Sequence, residues 1–362
     1  MRKERVAVAM SGGVDSSVAA ALLVKHGYEV IGMTMCFSID FPERKKPACC
    51  GISGIEDARR VCHKLGIRHY VVNMRKPLQE FVIDNFINEY KLGRTPNPCV
   101  RCNQHLKFDI LLKKALSLGA KFLATGHYAR ISRAPVTGRR SPVYFLKKAK
   151  DKHKDQSYFL YRLNQRQLRH IIFPLGNYTK QQVRQLARGF GLATAEKPAS
   201  QEICFLADTD YRKFLKERLD SGHRPGMILD TRGNILGEHK GIAYYTIGQR
   251  EGLGVAAGYP LYITNIDAKE NSIVAGRKDE AEKKEFIVHD AHFVGSSIKK
   301  RVALKVRIRY NHREAAAYIL KSKGKIKISL KQPQFAVTPG QSAVFYDKET
   351  VVGGGIIDRV FS

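Results

Sequence analysis

The chain opens with an apolar run, Val6-Ala7-Val8-Ala9-Met10, which breaks at Ser11. It resumes after a polar, glycine-bearing segment with Val18, Ala21, Leu22 and Val24 at helical spacing, closing near Gly27. Tyr28 to Met35 reads as a second strand, and the polar stretch from Cys36 to Gly54 as a loop. Ile55 to Leu65 predicts a helix with Ala58, Val61, Cys62 and Leu65 on one face. Arg68 to Val72 predicts a third strand and Pro77 to Tyr90 a helix, followed by a strong turn signal at Gly93 to Pro98. A further helix is expected from Gln104 to Leu118, just after Cys99 and Cys102, and a fourth strand over Lys121 to Thr125. Such alternation predicts an α/β domain built on a doubly wound parallel sheet. Ligands of such sheets lie beyond the carboxyl ends of the strands. Three segments fall there: Ser11 to Ser17, the turn after Met35, and Gly126-His127-Tyr128.

The pattern then changes. Residues 131–150 are basic and broken by Pro135, Gly138 and Pro142, as a loop or exposed hairpin would be. Helical spacing returns after Lys154-Asp155-Gln156, again from Thr179 (a plausible N-cap) to Phe190, and over Tyr211 to Leu219. From about Gly226, short β-rich runs separated by glycine turns take over. The expected organisation is an α/β domain over 1–208, a small β-rich domain over 209–280 and an antiparallel β-barrel over 281–362. Gly353-Gly354-Gly355 reads as a bend near the last strand rather than a phosphate loop.

Charge sharpens this picture. Lys and Arg number 63 against 33 Asp and Glu, a formal +30 spread along the whole chain, which implies a polyanionic partner such as nucleic acid. No apolar span suits a transmembrane helix, and the first apolar run is too short for a signal-peptide core. Seven cysteines in a long, unstapled chain fit a reducing cytoplasm, with thiols used for chemistry or packing.

The segment Ser11-Gly12-Gly13-Val14-Asp15-Ser16-Ser17 sits between a strand and a helix start, the geometry of an anion site. Its glycines let backbone N–H groups approach a ligand, and its serines add hydroxyl donors. Asp15 repels phosphate, so it points to a divalent cation, a ribose or a backbone contact. The segment is no Walker A loop, because the lysine of that motif is missing. It resembles the PP-loop of ATP pyrophosphatases, in which a substrate oxygen attacks the α-phosphate of ATP. Cys99 and Cys102 lie beside Arg101 and Lys107 at a helix start, a setting expected to favour thiolate. Cys204 lies after a break at Pro198, where the rim of a site is expected. A lone C-x-x-C also has a reading as a buried pair, and no second pair with zinc-ribbon spacing is present.

Taken jointly, AMSGGVDSS at 9–17, GRTPNPCVRCN at 93–103, ATGHYAR at 124–130, KDQSYFLY at 154–161, SQEICF at 200–205, YTIGQREGLG at 245–254 and TPGQSAVFY at 338–346 resemble the tRNA-specific 2-thiouridylases (MnmA/TrmU) along nearly the whole chain. The resemblance implies ATP- and Mg²⁺-dependent adenylation of the wobble uridine at O2, then sulfur transfer to C2. ATP contacts would fall on Ala9, Met10, Ser11, Gly12, Gly13, Val14, Asp15, Ser16, Met35 and Gly126. The flipped-out base would meet Asn97, Pro98 and Cys99. Transfer RNA would meet His127, Lys154, Asp155, Gln156, Arg309, Tyr310 and Gln341. Cys204 would carry a persulfide received from a sulfur-donor protein, and Cys102 would assist through a transient disulfide with Cys204.

One position departs from the family pattern: many members carry aspartate where this chain has Cys99. The substitution creates a set of three, Cys99, Cys102 and Cys204, and thereby an alternative in which these thiolates hold a [4Fe–4S] cluster that presents sulfide to the activated base. The competing readings are another PP-loop ligase acting on tRNA and a catalytically silent RNA binder. Neither accounts for the distal cysteines.

Overall fold

A computed structural model describes residues 3–37, 52–135, 141–198, 203–206, 210–219, 224–255, 257–295, 298, 301–322 and 325–361. Most of the expected loop from Cys36 to Gly54, including Cys49 and Cys50, lies outside the described residues, as do Gly138 and Ser200 to Glu202. The chain divides into two compact units: Met1–Val82, Cys99–Asp208 and Glu349–Val351 form the first, and Ile83–Pro98, Thr209–Lys348 and Val352–Ser362 the second.

The first unit is built on β1 (Arg5–Ala9), β2 (Glu29–Cys36), β3 (Arg68–Asn73) and β4 (Phe122–Thr125). A hairpin of β5 (Ala129–Ala134) and β6 (Val143–Lys148) follows, and then a two-residue strand, β7 (Ile171–Ile172). The sheet is parallel, in the order β3-β2-β1-β4-β7. The expected doubly wound sheet is therefore present, and the described residues of the basic stretch over 131–150 contribute to the hairpin. The strand β7 is too short to show any periodicity, so the sequence does not reveal it. Val6 and Val8 are fully buried against Val18, Ala19 and Ala20 of α1 (Val14–Lys25). α1 is buried on nearly every side because it lies between the sheet and the helix Lys180–Gly189. That helix starts as expected: Thr179 accepts from the Gln182 backbone N–H, while the Gln182 side chain accepts from the Thr179 N–H. The hairpin is completed from far along the chain. The Lys148 N–H donates to the Glu349 carbonyl at 2.8 Å, Arg130 bonds the Glu349 carboxylate at 2.9 Å, and Thr350 pairs with Lys147.

Helix boundaries near the site differ from expectation. α2 (Ile52–Lys64) begins three residues before Ile55 and so contains Gly54. The helix expected from Gln104 begins at Pro98, whose fixed φ and missing N–H suit a first helical position. It runs as α-helix over Pro98–Arg101, widens to π-turns over Cys102–Leu111, and returns to α over Leu112–Ser117. Cys99 and Cys102 thus lie within its first turns rather than ahead of it.

In the second unit, β8 (Gly226–Leu229), β9 (Ile235–His239), β10 (Tyr262–Asp267) and β11 (Ser272–Gly276) form a sheet in the order β10-β11-β8-β9. Ile228, Ile263, Ile273 and Ala275 fill its core. A closed antiparallel barrel follows, from β12 (Glu282–Phe293), β13 (Arg301–Arg307), β14 (Ala315–Ser322), β15 (Lys325–Phe335), β16 (Ser342–Asp347) and β17 (Thr350–Phe361). Its order is β12-β15-β14-β13-β16-β17, with β17 pairing back to β12. The triple glycine lies inside β17, not at a bend beside it. Register shifts between His289 and His292 bring the β12 backbone so close that a Cβ on Gly353 would collide with the His292 carbonyl.

Arg94 ties this unit together. Its guanidinium donates to Glu89 (2.8 Å), Asp358 (3.0 Å), the Ile357 carbonyl (3.2 Å) and His289 (3.1 Å). Only 20% of the side chain is exposed, so the network is shielded better than a surface pair. Arg94→Ala is expected to lower the stability of this unit by about 2 kcal/mol, since charge-assisted bonds are lost and Glu89 is left half-buried without its cation. The denaturant midpoint checks this, and Lys113→Ala, at an exposed pair with Asp109, should leave it unchanged.

Candidate active site

In the parallel sheet the chain order reverses between β1 and β4, and the loops that follow these two strands meet. A Cβ on Gly126 would stand 2.7 Å from the Ser16 nitrogen and 2.8 Å from the Asp15 carbonyl carbon, so only glycine allows the approach. Gly12 has a φ of +74°, and its face is closed by the Gly54 carbonyl of α2. Gly13 is the N-cap of α1 and brings no side-chain cap, which leaves first-turn N–H groups for a ligand. Ala9 ends β1, and buried Met10 continues it by donating to the Met33 carbonyl. Val14 is buried beneath the loop, and half-buried Met35 pairs with Val72 near the end of β2.

Not every hydroxyl is left for a ligand. Ser16 donates to the Gly13 carbonyl at 3.1 Å and accepts from the Ser11 N–H, and Ser17 donates to the same carbonyl at 2.8 Å. These two serines shape the loop, whereas Ser11 is exposed. Asp15 is held by residues remote in sequence. Lys180 bonds both of its carboxylate oxygens, at 2.6 and 2.7 Å, and the Tyr128 hydroxyl donates to one of them at 2.8 Å. Burial, together with Asp15, pushes the Tyr128 hydroxyl well up, so it remains a donor. Lys197 reaches the loop from another side, bonding Asp57 and the Gly12 carbonyl. Sequence reasoning missed Lys180, Lys197 and Gly54. The one available signal was Lys180 itself, a cation in the first turn of a helix, where the dipole opposes it.

Gln156 pins the Gly126–Tyr128 loop by bonding both backbone groups of Tyr128, at 2.8 and 3.0 Å. Asp155 is buried and accepts from Ala149 and Ser157, and the Lys154 N–H bonds Asp151. The His127 ring is also buried; it bonds Thr125 at 2.6 Å and packs against Phe108 and Phe173. Burial, and secondarily Lys107, hold it neutral. His127 and Asp155, expected at an RNA surface, therefore support the loop from inside. In the second unit, Arg309 donates to the Phe335 carbonyl, and Arg307 lies over the Tyr310 ring. Gln341 donates to the Thr95 and Pro96 carbonyls, both at 3.0 Å, and so fixes the turn that precedes Asn97 and Pro98.

Cys99 and Cys102 stand one helical turn apart, Cys102 buried and Cys99 with an exposed surface. The expected thiolate is not favoured. Although part of Cys99 is exposed, the protein around its sulfur desolvates a thiolate and pushes the group up to about 11, with Cys102 adding and Lys107 opposing. Cys102 is raised likewise, by burial against the smaller effect of Lys107. Desolvation of a thiolate outweighs one lysine here, and Arg101 is turned away to the Phe81 carbonyl. Cys204 is exposed, and none of the three is joined in a disulfide. Among the described residues no three His, Cys, Asp or Glu side chains converge to hold a metal ion. Among the described residues, no helix is long and apolar enough to cross a membrane.

Two outcomes follow from this geometry. Gly126→Ala should weaken nucleotide binding by more than about tenfold, because the loops after β1 and β4 must separate, while circular dichroism stays unchanged. Cys99 should alkylate with iodoacetamide more slowly than free cysteine at neutral pH. Its rate should then climb with pH toward about 11, because only the thiolate reacts; peptide mapping by mass spectrometry reads this.

Comparison with known proteins covers the same ground. Residues 4–208 match the tRNA methyl transferase HUP domain, 212–277 the tRNA methyl transferase PRC-barrel domain, and 283–357 the aminomethyltransferase beta-barrel domain. The tRNA-specific 2-thiouridylase MnmA of Halothermothrix orenii is 51% identical over 362 residues, covering 99% of this chain and 100% of that protein. The protein of the same name from Acetivibrio thermocellus is 49% identical, again over 99% of this chain and 100% of the relative. With identity at this level along its whole length, the chain belongs to the tRNA-specific 2-thiouridylase family.

Proposed function

We propose that this protein thiolates the wobble uridine of tRNA in two steps, adenylation and sulfur transfer. The observation that carries the reading is the contact of Gly126 with Ser16 and Asp15, which builds an anion-binding loop at the reversal point of the sheet. ATP lies against Ala9 to Ser16, Met35 and Gly126, with its phosphates at the amino end of α1. Asp15 is the carboxylate of the loop that would meet a Mg²⁺ ion accompanying ATP, and such an ion would supply neutralisation of phosphate charge.

The uridine O2 attacks the α-phosphorus and pyrophosphate leaves. Adenylation is needed because a urea-like carbonyl oxygen is a poor leaving group, whereas AMP is a good one. The terminal sulfur of a Cys204 persulfide then attacks C2. Cys102 attacks the Cys204 sulfur and breaks the S–S bond, so the transferred sulfur stays on C2 and AMP departs with the former O2. The resulting Cys102–Cys204 disulfide is reopened by a thiol reductant, which supplies two electrons. Cys102 rests as a thiol, so its proton must leave as it attacks. The exposure of Cys204 supports loading by a sulfur-donor protein. Asn97, Pro98 and Cys99 receive the flipped base. Lys154, Arg309, Tyr310 and Gln341 lie toward tRNA in a chain of net charge +30. His127, Asp155 and Gln156 serve the same step by holding the Gly126–Tyr128 loop. The cytoplasm, where thiols stay reduced, suits this chemistry.

The test is nucleoside mass spectrometry of unmodified tRNA incubated with protein, ATP, Mg²⁺ and a sulfur source. Wild type should yield uridine with one sulfur-for-oxygen exchange. Cys204→Ser and Cys102→Ser should yield none while still supporting tRNA-dependent pyrophosphate release, and Cys99→Ser should retain thiolation. Loss of thiolation in Cys99→Ser would overturn the two-cysteine relay, and absence of any thiolated nucleoside would overturn the function.

A further inference from the structure

The loop Ser11 to Ser17 contains two glycines, three serines and a carboxylate, but no cation of its own. A triphosphate brought to it meets Asp15 as a like charge. The nearest remedy on this face is Lys180, whose ammonium bonds both Asp15 oxygens and whose side chain is 14% exposed. We propose that Lys180 is a phosphate-binding residue that, on nucleotide binding, moves its ammonium from Asp15 to the phosphate chain. The inference rests on the reading of this loop as the ATP site.

Three features carry it. First, helix stability does not account for Lys180. It occupies the first turn of its helix, where the dipole disfavours a cation, and it does not supply the cap, which Thr179 and Gln182 make between them. Second, Asp15 keeps another partner when the lysine leaves. The Tyr128 hydroxyl still donates to it, and 33% of its side chain faces solvent. Third, the displaced ammonium stays over the loop. The Tyr128 ring lies 6.0 Å beneath it, and the flexible four-carbon stem allows the head to swing between adjacent anions. The fold thereby supplies, from a helix remote in sequence, the charge that a Walker A loop carries within itself.

The experiment measures equilibrium binding of adenosine, AMP and ATP to the full-length protein in EDTA, where no metal links Asp15 to phosphate. Lys180→Met should leave adenosine binding unchanged and weaken ATP about 10- to 100-fold, the span that loss of a charge-assisted hydrogen bond gives. Lys180→Arg should recover most of that loss. Asp15→Asn should tighten metal-free ATP, because it frees the ammonium and removes the repulsion. Equal losses for adenosine and ATP in Lys180→Met would mean that the ion pair only shapes the loop, and would overturn the proposal. So would an unchanged ATP affinity, or weaker metal-free ATP binding in Asp15→Asn, a test that stands even where Lys180→Met does not fold. Wild type that binds ATP no better than adenosine would instead remove the ATP reading of the loop itself.

Discussion

The close approach of two backbone segments at the reversal of the parallel sheet is the constraint on which the site depends. Gly126 follows β4 and lies against the first turn of α1, and no side chain fits between them. Because that gap is closed, Tyr128, two residues on, stands beneath Asp15 and can donate to it. Because Tyr128 is fixed, Gln156 can take both of its backbone groups, and buried Asp155 is drawn into the same turn. Residues that look like surface ligands in the sequence are in this way recruited as supports. Opening the gap by one methyl group would disturb the loop, the tyrosine and the turn together.

A second constraint acts on the cysteines. The helix that carries them begins with Pro98, so Cys99 falls in the first turn and Cys102 at the start of a π-wound stretch. Widened turns are over-represented at functional positions because they turn side chains away from the regular helical faces. Here the widening coincides with a buried thiol held protonated by its surroundings. A thiol stored in this form is protected from adventitious oxidation, since the thiolate is the reactive species. Cys204 is exposed by contrast, and the two thiols are suited to different tasks by burial alone.

Much of this was legible in the sequence, for physical reasons. Strand-helix alternation, the glycine loop after the first strand and the glycine-punctuated β-runs are local patterns, and the parallel sheet and closed barrel agree with them. The Thr179 cap was visible because the capping residue and its partner lie three positions apart. The illegible features involve distance or burial. Lys180 and Asp15 are 165 residues apart, and no periodicity joins them. Gly54 closes the Gly12 face from a helix that starts earlier than its apolar pattern indicates. The two residues of β7 carry too little pattern to register. The thiolate expectation failed because neighbouring charges can be read from a sequence, whereas the desolvation that outweighs them cannot.

The hairpin completed by residues 349–351 has a consequence for synthesis on the ribosome. Glu349 bonds Arg130 and Lys148, and Thr350 pairs with Lys147, so a compact unit that starts at the first strand is finished only by residues that follow most of the barrel strands. Domains emerging from the ribosome ordinarily close in order, amino-terminal first. Here the parallel sheet can assemble early, but one edge of the hairpin waits until the strands up to β17 have been translated. The enzyme is thus assembled under a timing rule: its nucleotide-binding half reaches its final form only after the barrel sequence has been made.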